Sequence, residues 1–391
     1  MKIVHLMLAC FYIDNYSYQE NYLPKYHKEQ GNDVEIIASL FTFDENGNGK
    51  ILKEGSKYLN EYGIPVTRLE YNSNFYSKKL REYKGLAIEL ERIKPDLIFI
   101  HGVQFKDVNI VVEYCKRNPN VLVYVDSHSD FSNSATNWIS KNILHRIIWK
   151  HYAHKINPYV KKFYGVLPAR VEFLKNIYGL PKDKCELLVM GADDDLVKEA
   201  SSKENIKNLR KKYGILDEDF LIVTGGKIDK WKIQTLTLMK VIKKLKLKNV
   251  KFIIFGSVTP ELKEKVNELL EDNIIQYIGW INSRESYDYF AAADLVVFPG
   301  RHSVFWEQVV AQGIPMVVKY WEGTTHIDLK GNVEFLYNDS EEGIEKVLKE
   351  IIFNEEKYKK MKTVAVKKGI KEFSYRNIAK RSIEFLKEEK L

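Results

Sequence analysis

The 391-residue sequence holds only three cysteines, Cys10, Cys115 and Cys185, far apart and without metal-type spacing. That scarcity excludes a disulfide framework and suits a reducing cytoplasm. No apolar run approaches the roughly 18 residues of a membrane span. Short repeats and low-complexity segments are also missing, which excludes a solenoid. After the first apolar segment stands ACFYIDNYSYQENYLPKYH and no G-x-G-x-x-G, which argues against a NAD-dependent dehydrogenase. Acidic residues are absent from Phe131 to Arg170, the most uneven charge distribution in the chain.

What remains is a globular composition, 45% hydrophobic and 29% charged, with a net charge of +8. The length fits two domains better than one. The opening MKIVHLMLACFYID reads as a β-strand and lacks the small-residue cleavage site of a signal peptide. In the acid-free stretch, Lys141, Arg146, Lys150, Lys155, Lys161, Lys162 and Arg170 alternate with Trp138, Ile139, Ile143, Leu144, Ile147, Ile148 and Trp149. A basic helix with such an apolar face can lie on an anionic membrane, though a solvated helix would look alike. No recognised motif accompanies the charge, so nucleic acid is not expected as a partner.

Short apolar runs alternate with helical patterns. Residues 2–8, 33–39, 96–102, 121–127 and 185–191 read as strands, with candidate helices at Gln19–Gln30, Lys79–Lys94 and Val108–Arg117. A second set follows at 220–226, 251–257, 274–279, 294–300 and 315–320, with helices at 233–247, 260–271 and 284–293. Near-continuous apolar strands joined by helices give a doubly wound parallel sheet. The expected fold class is therefore α/β, with two Rossmann-like domains facing a cleft. We place the acceptor-side domain at 1–190 and the donor-binding domain at 191–375. The last helix, 376–391, is expected to cross back onto the first domain. The charged segment 192–215 reads as a hinge with a lead-in helix, and Asp193-Asp194-Asp195 as a helix entry.

Ligands of open α/β sheets bind at the carboxyl ends of the strands. Tyr18, Gln19 and Glu20, after the first strand, suit a hydroxyl-rich ligand, and Ser17 with Glu20 also reads as a capping box. Another strand ends in Asp126-Ser127-His128, which places a histidine between carboxylates. The first strand of the second domain ends in Gly225-Gly226-Lys227, with Lys230 and Lys232 close to the next helix. Glycines for close backbone approach and lysines by a helix start suit a diphosphate. A later strand ends at Pro299-Gly300, after which a helix begins near Ser303 and Val304 with Glu307 and Gln308 in its first turns.

The second domain resembles glycosyltransferase family 4, retaining enzymes with the GT-B fold. Its matches are Gly226-Lys227 with Lys232, Phe255-Gly256, Gly279-Trp280, Ala293-Asp294 to Phe298-Pro299, and Ala311-x-Gly313-x-Pro315. The resemblance implies that Lys227 and Lys232 hold a donor diphosphate, that Gly279 to Asn282 read the base, and that His128 contacts the transferred sugar. Gly226, Gly256, Trp280, Ser303, Val304 and Gln308 join the two lysines as expected donor contacts. His128 and Glu307 are the expected catalytic pair, and Tyr18, Gln19, Glu20 and His302 the expected contacts to acceptor or sugar. The family's glutamate pair departs from its pattern: its positions fall on Gly300 and Gln308, and Glu307 stands one place away. Either the helix is re-registered to use Glu307, or the donor contacts differ.

The implied activity is retaining transfer of a glycosyl unit from a nucleoside-diphosphate sugar to an acceptor hydroxyl. A glycan or lipid-linked acceptor of cell-surface biosynthesis is expected, with a cytoplasmic enzyme possible at the inner face of a membrane. No Asp-x-Asp ends a strand, so neither a metal nor another cofactor is expected to be obligatory. A sugar-nucleotide epimerase and a non-catalytic sugar-nucleotide-binding partner are the competing readings.

Overall fold

The computed structural model describes residues 1–44, 49–72, 75–271 and 274–384. The chain divides into two compact units, Met1–Val189 together with the chain from Ile378 onward, and Met190–Asn377.

The main sheet of the first unit has eight strands. From edge to edge they are Cys185–Leu187, Val160–Gly165, Leu122–Ser127, Leu97–His101, Lys2–Met7, Asp33–Ser39, Pro65–Leu69 and Ser56–Leu59. All pairings are parallel except that of Ser56–Leu59 with Pro65–Leu69. Leu97–His101 is buried at every position, as a strand covered on both faces must be. The sequence expectation of one helix at Lys79–Lys94 is corrected to two, Phe75–Leu80 and Leu86–Ile93. Arg81 and Gly85, both at positive φ, break the pattern between them.

The basic stretch holds Ser140–Trp149, a π-helix, followed by the α-helix Lys150–Ile156 and the strand Val160–Gly165, which the sequence reading did not separate. Ser140, His145 and Trp149 face inward at the wider spacing of that helix. Leu144 and Ile148 pack on the core, whereas Trp138, Ile139 and Ile147 are 69%, 60% and 62% exposed. The described part of the C-terminal helix, Tyr375–Ser382, brings Ala379 and Ser382 onto His27 of the helix Gln19–Glu29.

The second unit has a six-stranded parallel sheet in the order Ile275–Tyr277, Val250–Phe255, Phe220–Gly225, Leu295–Phe298, Met316–Lys319 and Val333–Leu336. This is the Rossmann order, whose switch point lies between Phe220–Gly225 and Leu295–Phe298. The segment read as a hinge is two helices, Asp194–Ala200 and Lys203–Lys212. Asp193 caps the first, accepting from the N–H groups of Asp195 and Leu196. No helix among the described residues is long and apolar enough to cross a membrane.

Candidate active site

At the switch point of the second unit the strand ends open into a pocket. Thr224, Gly225, Gly226, Lys227 and Lys232 line one side, and Phe298, Pro299, Gly300 and Arg301 the other. Gly226 lies at φ +115° and Gly256 at φ +121°, and a Cβ on Gly256 would sit 2.0 Å from the Gly226 carbonyl oxygen. Only glycine lets these two turns stack. Lys232 folds back over the pocket floor, its Nζ 3.4 Å from where a Gly226 Cβ would stand. Burial lowers its pKa, only partly offset by Asp229. Among the described residues this ammonium has no carboxylate within ion-pair distance. Lys227 is exposed at the rim. The Arg301 guanidinium lies 4.1 Å from the ring centroid of Trp231, a cation–π contact.

The other expected donor residues are placed differently. The Gly279 carbonyl accepts from the Gly256 N–H at 2.7 Å, so the segment expected to read a base starts beside the glycine stack. Trp280 stands out from it, 74% exposed. Asn282 and Glu285 exchange backbone-to-side-chain hydrogen bonds, both 2.9 Å, and so start the helix Glu285–Ala292. Ser303 and Val304 precede the helix Phe305–Ala311. Gln308 is not among the residues lining the pocket and donates to Ser286 Oγ at 3.0 Å.

Glu307 is fully buried, and its Oε1 accepts from His302 Nε2 at 2.9 Å and from His326 Nε2 at 2.8 Å. Burial alone would raise its pKa, but the two imidazoles overcome that and hold it at about 2. His302 is the member nearer solvent, its side chain 15% exposed. The sequence reading missed His326, which lies on the turn Thr325–Ile327 with no motif to announce it. Among the described residues, these three form the one group with ligand atoms close enough together for a metal ion, within 4.8 Å. Each Nε2 contacts Oε1, while His326 Nδ1 and Glu307 Oε2 are buried without a hydrogen-bond partner.

In the first unit the capping-box reading is corrected. Tyr18 is the N-cap residue of Gln19–Glu29, without a side-chain cap, and Glu20 turns toward His128, 3.9 Å from its Nε2. Gln19 donates to Asp126 Oδ2 at 3.1 Å. Glu20, Gln19, Asp126 and His128 therefore form one cluster at the strand ends. Burial opposes a charge on His128, yet Glu20 and Asp126 outweigh it and raise its pKa. Sequence reasoning did not find the histidines behind this cluster, His5, His27 and His101. Each lies within an apolar strand or a helix, where a lone His carries no motif.

Residues 219–351 match the family model described as glycosyl transferases group 1. No curated protein sequence matches the chain. Among solved structures it is similar to a glycosyltransferase from Rickettsia africae ESF-5, at 18% identity and TM-score 0.69 over 99% of this chain and 98% of that one. Anabaena HepE in complex with UDP-glucose is 15% identical, with TM-score 0.66 over 99% and 100% of the two chains. The UDP-GlcNAc 2-epimerase of Neisseria meningitidis is 13% identical, with TM-score 0.63 over 99% and 100%. The protein thus has two Rossmann-like parallel-sheet units of the GT-B fold, and its second unit carries the match to glycosyl transferases group 1.

Proposed function

We propose that the protein transfers a glycosyl unit from a nucleoside-diphosphate sugar to an acceptor hydroxyl, with retention of anomeric configuration. The observation that carries the reading is Lys232, a half-buried cation at the switch point whose burial is unfavourable until an anion arrives. A diphosphate supplies that anion, and the glycine turn supplies close backbone approach. Since HepE is seen with UDP-glucose, uridine diphosphate sugars are the first donors to test.

In this reading the sugar C1–oxygen bond to the diphosphate breaks and a bond to the acceptor oxygen forms on the same face. The acceptor proton passes to the departing diphosphate. Lys227 and Lys232 stabilise the charge that builds there, and this cationic pair leaves no step that requires a divalent metal. Gly226, Gly256, Trp280, Ser303 and Val304 complete the donor contacts. His128, Tyr18, Gln19 and Glu20 are assigned to the transferred sugar or the acceptor. Glu307, being buried, acts through His302, and Gln308 supports the helix that carries Glu307.

We assign the acceptor to a lipid-linked or surface glycan. The exposed Trp138, Ile139 and Ile147 stand among basic residues in a stretch without acids, the pattern of a helix that rests on an anionic bilayer. The enzyme would work in the cytoplasm, at the inner face of the membrane.

The test is turnover. Purified protein, UDP-sugars and lipid-linked acceptors should release UDP together with a product of retained configuration, read by NMR. A second reading, sugar-nucleotide epimerisation, is favoured by the likeness to the Neisseria enzyme. Formation of an epimerised nucleotide sugar without any acceptor, with no transfer to any acceptor tested, would establish that reading and refute transfer.

A further inference from the structure

Behind Gln19 and His128 three imidazoles lie in a row through the sheet of the first unit. His5 Nδ1 is 3.0 Å from His101 Nε2, and His5 Nε2 is 3.1 Å from His27 Nδ1. At one end His101 Nδ1 is 2.7 Å from Asp126 Oδ2. At the other, His27 Nε2 is 3.0 Å from both the Ala379 carbonyl oxygen and Ser382 Oγ. The three rings and Asp126 are at most 1% exposed, so water cannot complete any of these contacts.

Hydrogens can be counted along the row. The contacts at 3.0–3.1 Å are hydrogen bonds and each needs one hydrogen between its two atoms. That of His101 Nδ1 with Asp126 Oδ2, at 2.7 Å, is an ion-pair contact too short for two lone pairs to face each other, so one of its atoms also carries a hydrogen. The hydroxyl hydrogen of Ser382 is engaged by the Ala379 carbonyl at 2.8 Å. His27 Nε2 must therefore carry its own hydrogen and donate it to the C-terminal helix. From that end the order is forced: His27 Nδ1 accepts from His5 Nε2–H, and His5 Nδ1 accepts from His101 Nε2–H. The fourth contact, between His101 and Asp126, still needs a hydrogen, while three neutral imidazoles carry only three. Asp126 Oδ2 already accepts from Gln19 at 3.1 Å, and as a carboxylate it accepts from His101 as well with no hydrogen of its own. The fourth hydrogen then belongs to His101.

We infer that His101 is an imidazolium paired with the Asp126 carboxylate, that His5 and His27 are held as neutral Nε2–H tautomers, and that the row positions Asp126 and, through it, Gln19. The pair has zero net charge, as a fully buried site requires. The His101–Asp126 contact is short but runs off the ideal hydrogen-bond line, so attraction of charges holds it as much as alignment does. Burial lowers the pKa of His5, and that of His27 to about 4, so neither of these two rings is charged at neutral pH. The titratable and charged groups around the pair are His5 on its strand, Glu20 on the helix, His128 beyond Asp126, and Cys10, with Arg81 and Arg170 farther out. The role given to Gln19 rests on the function proposed above; the hydrogen count does not.

The experiment is a two-bond 1H–15N correlation spectrum of the whole protein labelled with 15N-histidine, at neutral pH. The expected spectrum has one buried ring protonated at both nitrogens, His101, and two protonated at Nε2 alone. Asp126→Asn should remove the doubly protonated ring, because the new amide can donate to His101 Nδ1, and leave His5 and His27 unchanged. A wild-type spectrum in which the buried rings are all neutral, or are protonated at Nδ1, overturns the inference. So does a doubly protonated ring that survives Asp126→Asn. The wild-type spectrum decides by itself if the variant does not fold. Neither result depends on nucleotide binding, so failure here is distinct from failure of the donor site.

Discussion

Replacing Lys232 by alanine should weaken the binding of nucleoside diphosphates while making the empty protein more stable. The ammonium is desolvated and has no ion-pair partner among the described residues, so the free protein bears a penalty that its pKa displacement reports. With diphosphate bound, the same group becomes one end of a charge-assisted hydrogen bond, worth about 1.5–3 kcal/mol. Its loss should raise the Kd for a diphosphate roughly 10- to 150-fold, measured by isothermal titration calorimetry. The stability effect has a definite sign with pH. A lysine whose folded pKa lies below the unfolded value destabilises the fold at neutral pH, and this penalty fades as pH rises through the folded value toward about 10.4. The urea midpoint of Lys232→Ala should therefore exceed that of wild type at pH 7 and converge with it near pH 10. A variant that binds diphosphates as wild type does would refute the assignment of the pocket. One that is less stable at pH 7 would refute the burial argument.

Other consequences can be checked separately. Gly256→Ala places a Cβ 2.0 Å from the Gly226 carbonyl at φ +121°, whereas Gly279→Ala meets open space at φ +82°. Urea unfolding should show the second costing about 1 kcal/mol and the first clearly more. Glu307, held at about 2 by His302 and His326, contributes on the order of 3 kcal/mol. That stability is present above the ordinary carboxylate range and lost as pH falls toward 2. Glu307→Gln should flatten acid unfolding between about pH 4.5 and 2, and an unchanged profile would remove the ion-pair account. In vesicle flotation with anionic lipid, wild type should float in a salt-sensitive manner, and Ile139→Ser with Ile147→Ser should reduce it severalfold. Equal flotation of the two proteins would remove the apolar stripe from the account.

The strands that carry the two sheets were legible because buried parallel strands read as continuous apolar runs, as in LIFIH and LVVF. Those missed have reasons of their own. Val160–Gly165 carries Lys161 and Lys162 within a basic stretch, and Ser56–Leu59 is an edge strand with mostly exposed side chains. Val333–Leu336, at the other sheet's edge, is apolar and buried only at its ends, with Glu334 and Phe335 half-exposed between them. The glycine–lysine turn was legible because close packing and phosphate chemistry both favour a local motif. The Glu307 cluster was half legible: His302 lies five residues away on the same loop and helix, while His326 arrives from a separate turn. The histidine row was hidden altogether. His5 and His101 meet only because their strands pair in parallel, with His5 opposite Phe99, and His27 joins from a helix. Contacts made by sheet register leave no spacing in the sequence.

The measurement that bears most directly on the central claim is a thermal-shift titration of the wild-type protein with nucleoside diphosphates and their sugars. A ligand at a hundred times its Kd adds about 2.7 kcal/mol of apparent stability, enough to raise the melting temperature by several degrees. The expected result is a concentration-dependent rise with at least one nucleoside diphosphate and its sugar, cut to about half or less in Lys232→Ala at the same concentrations. No rise with any of them at millimolar concentration would contradict a donor site in the second unit.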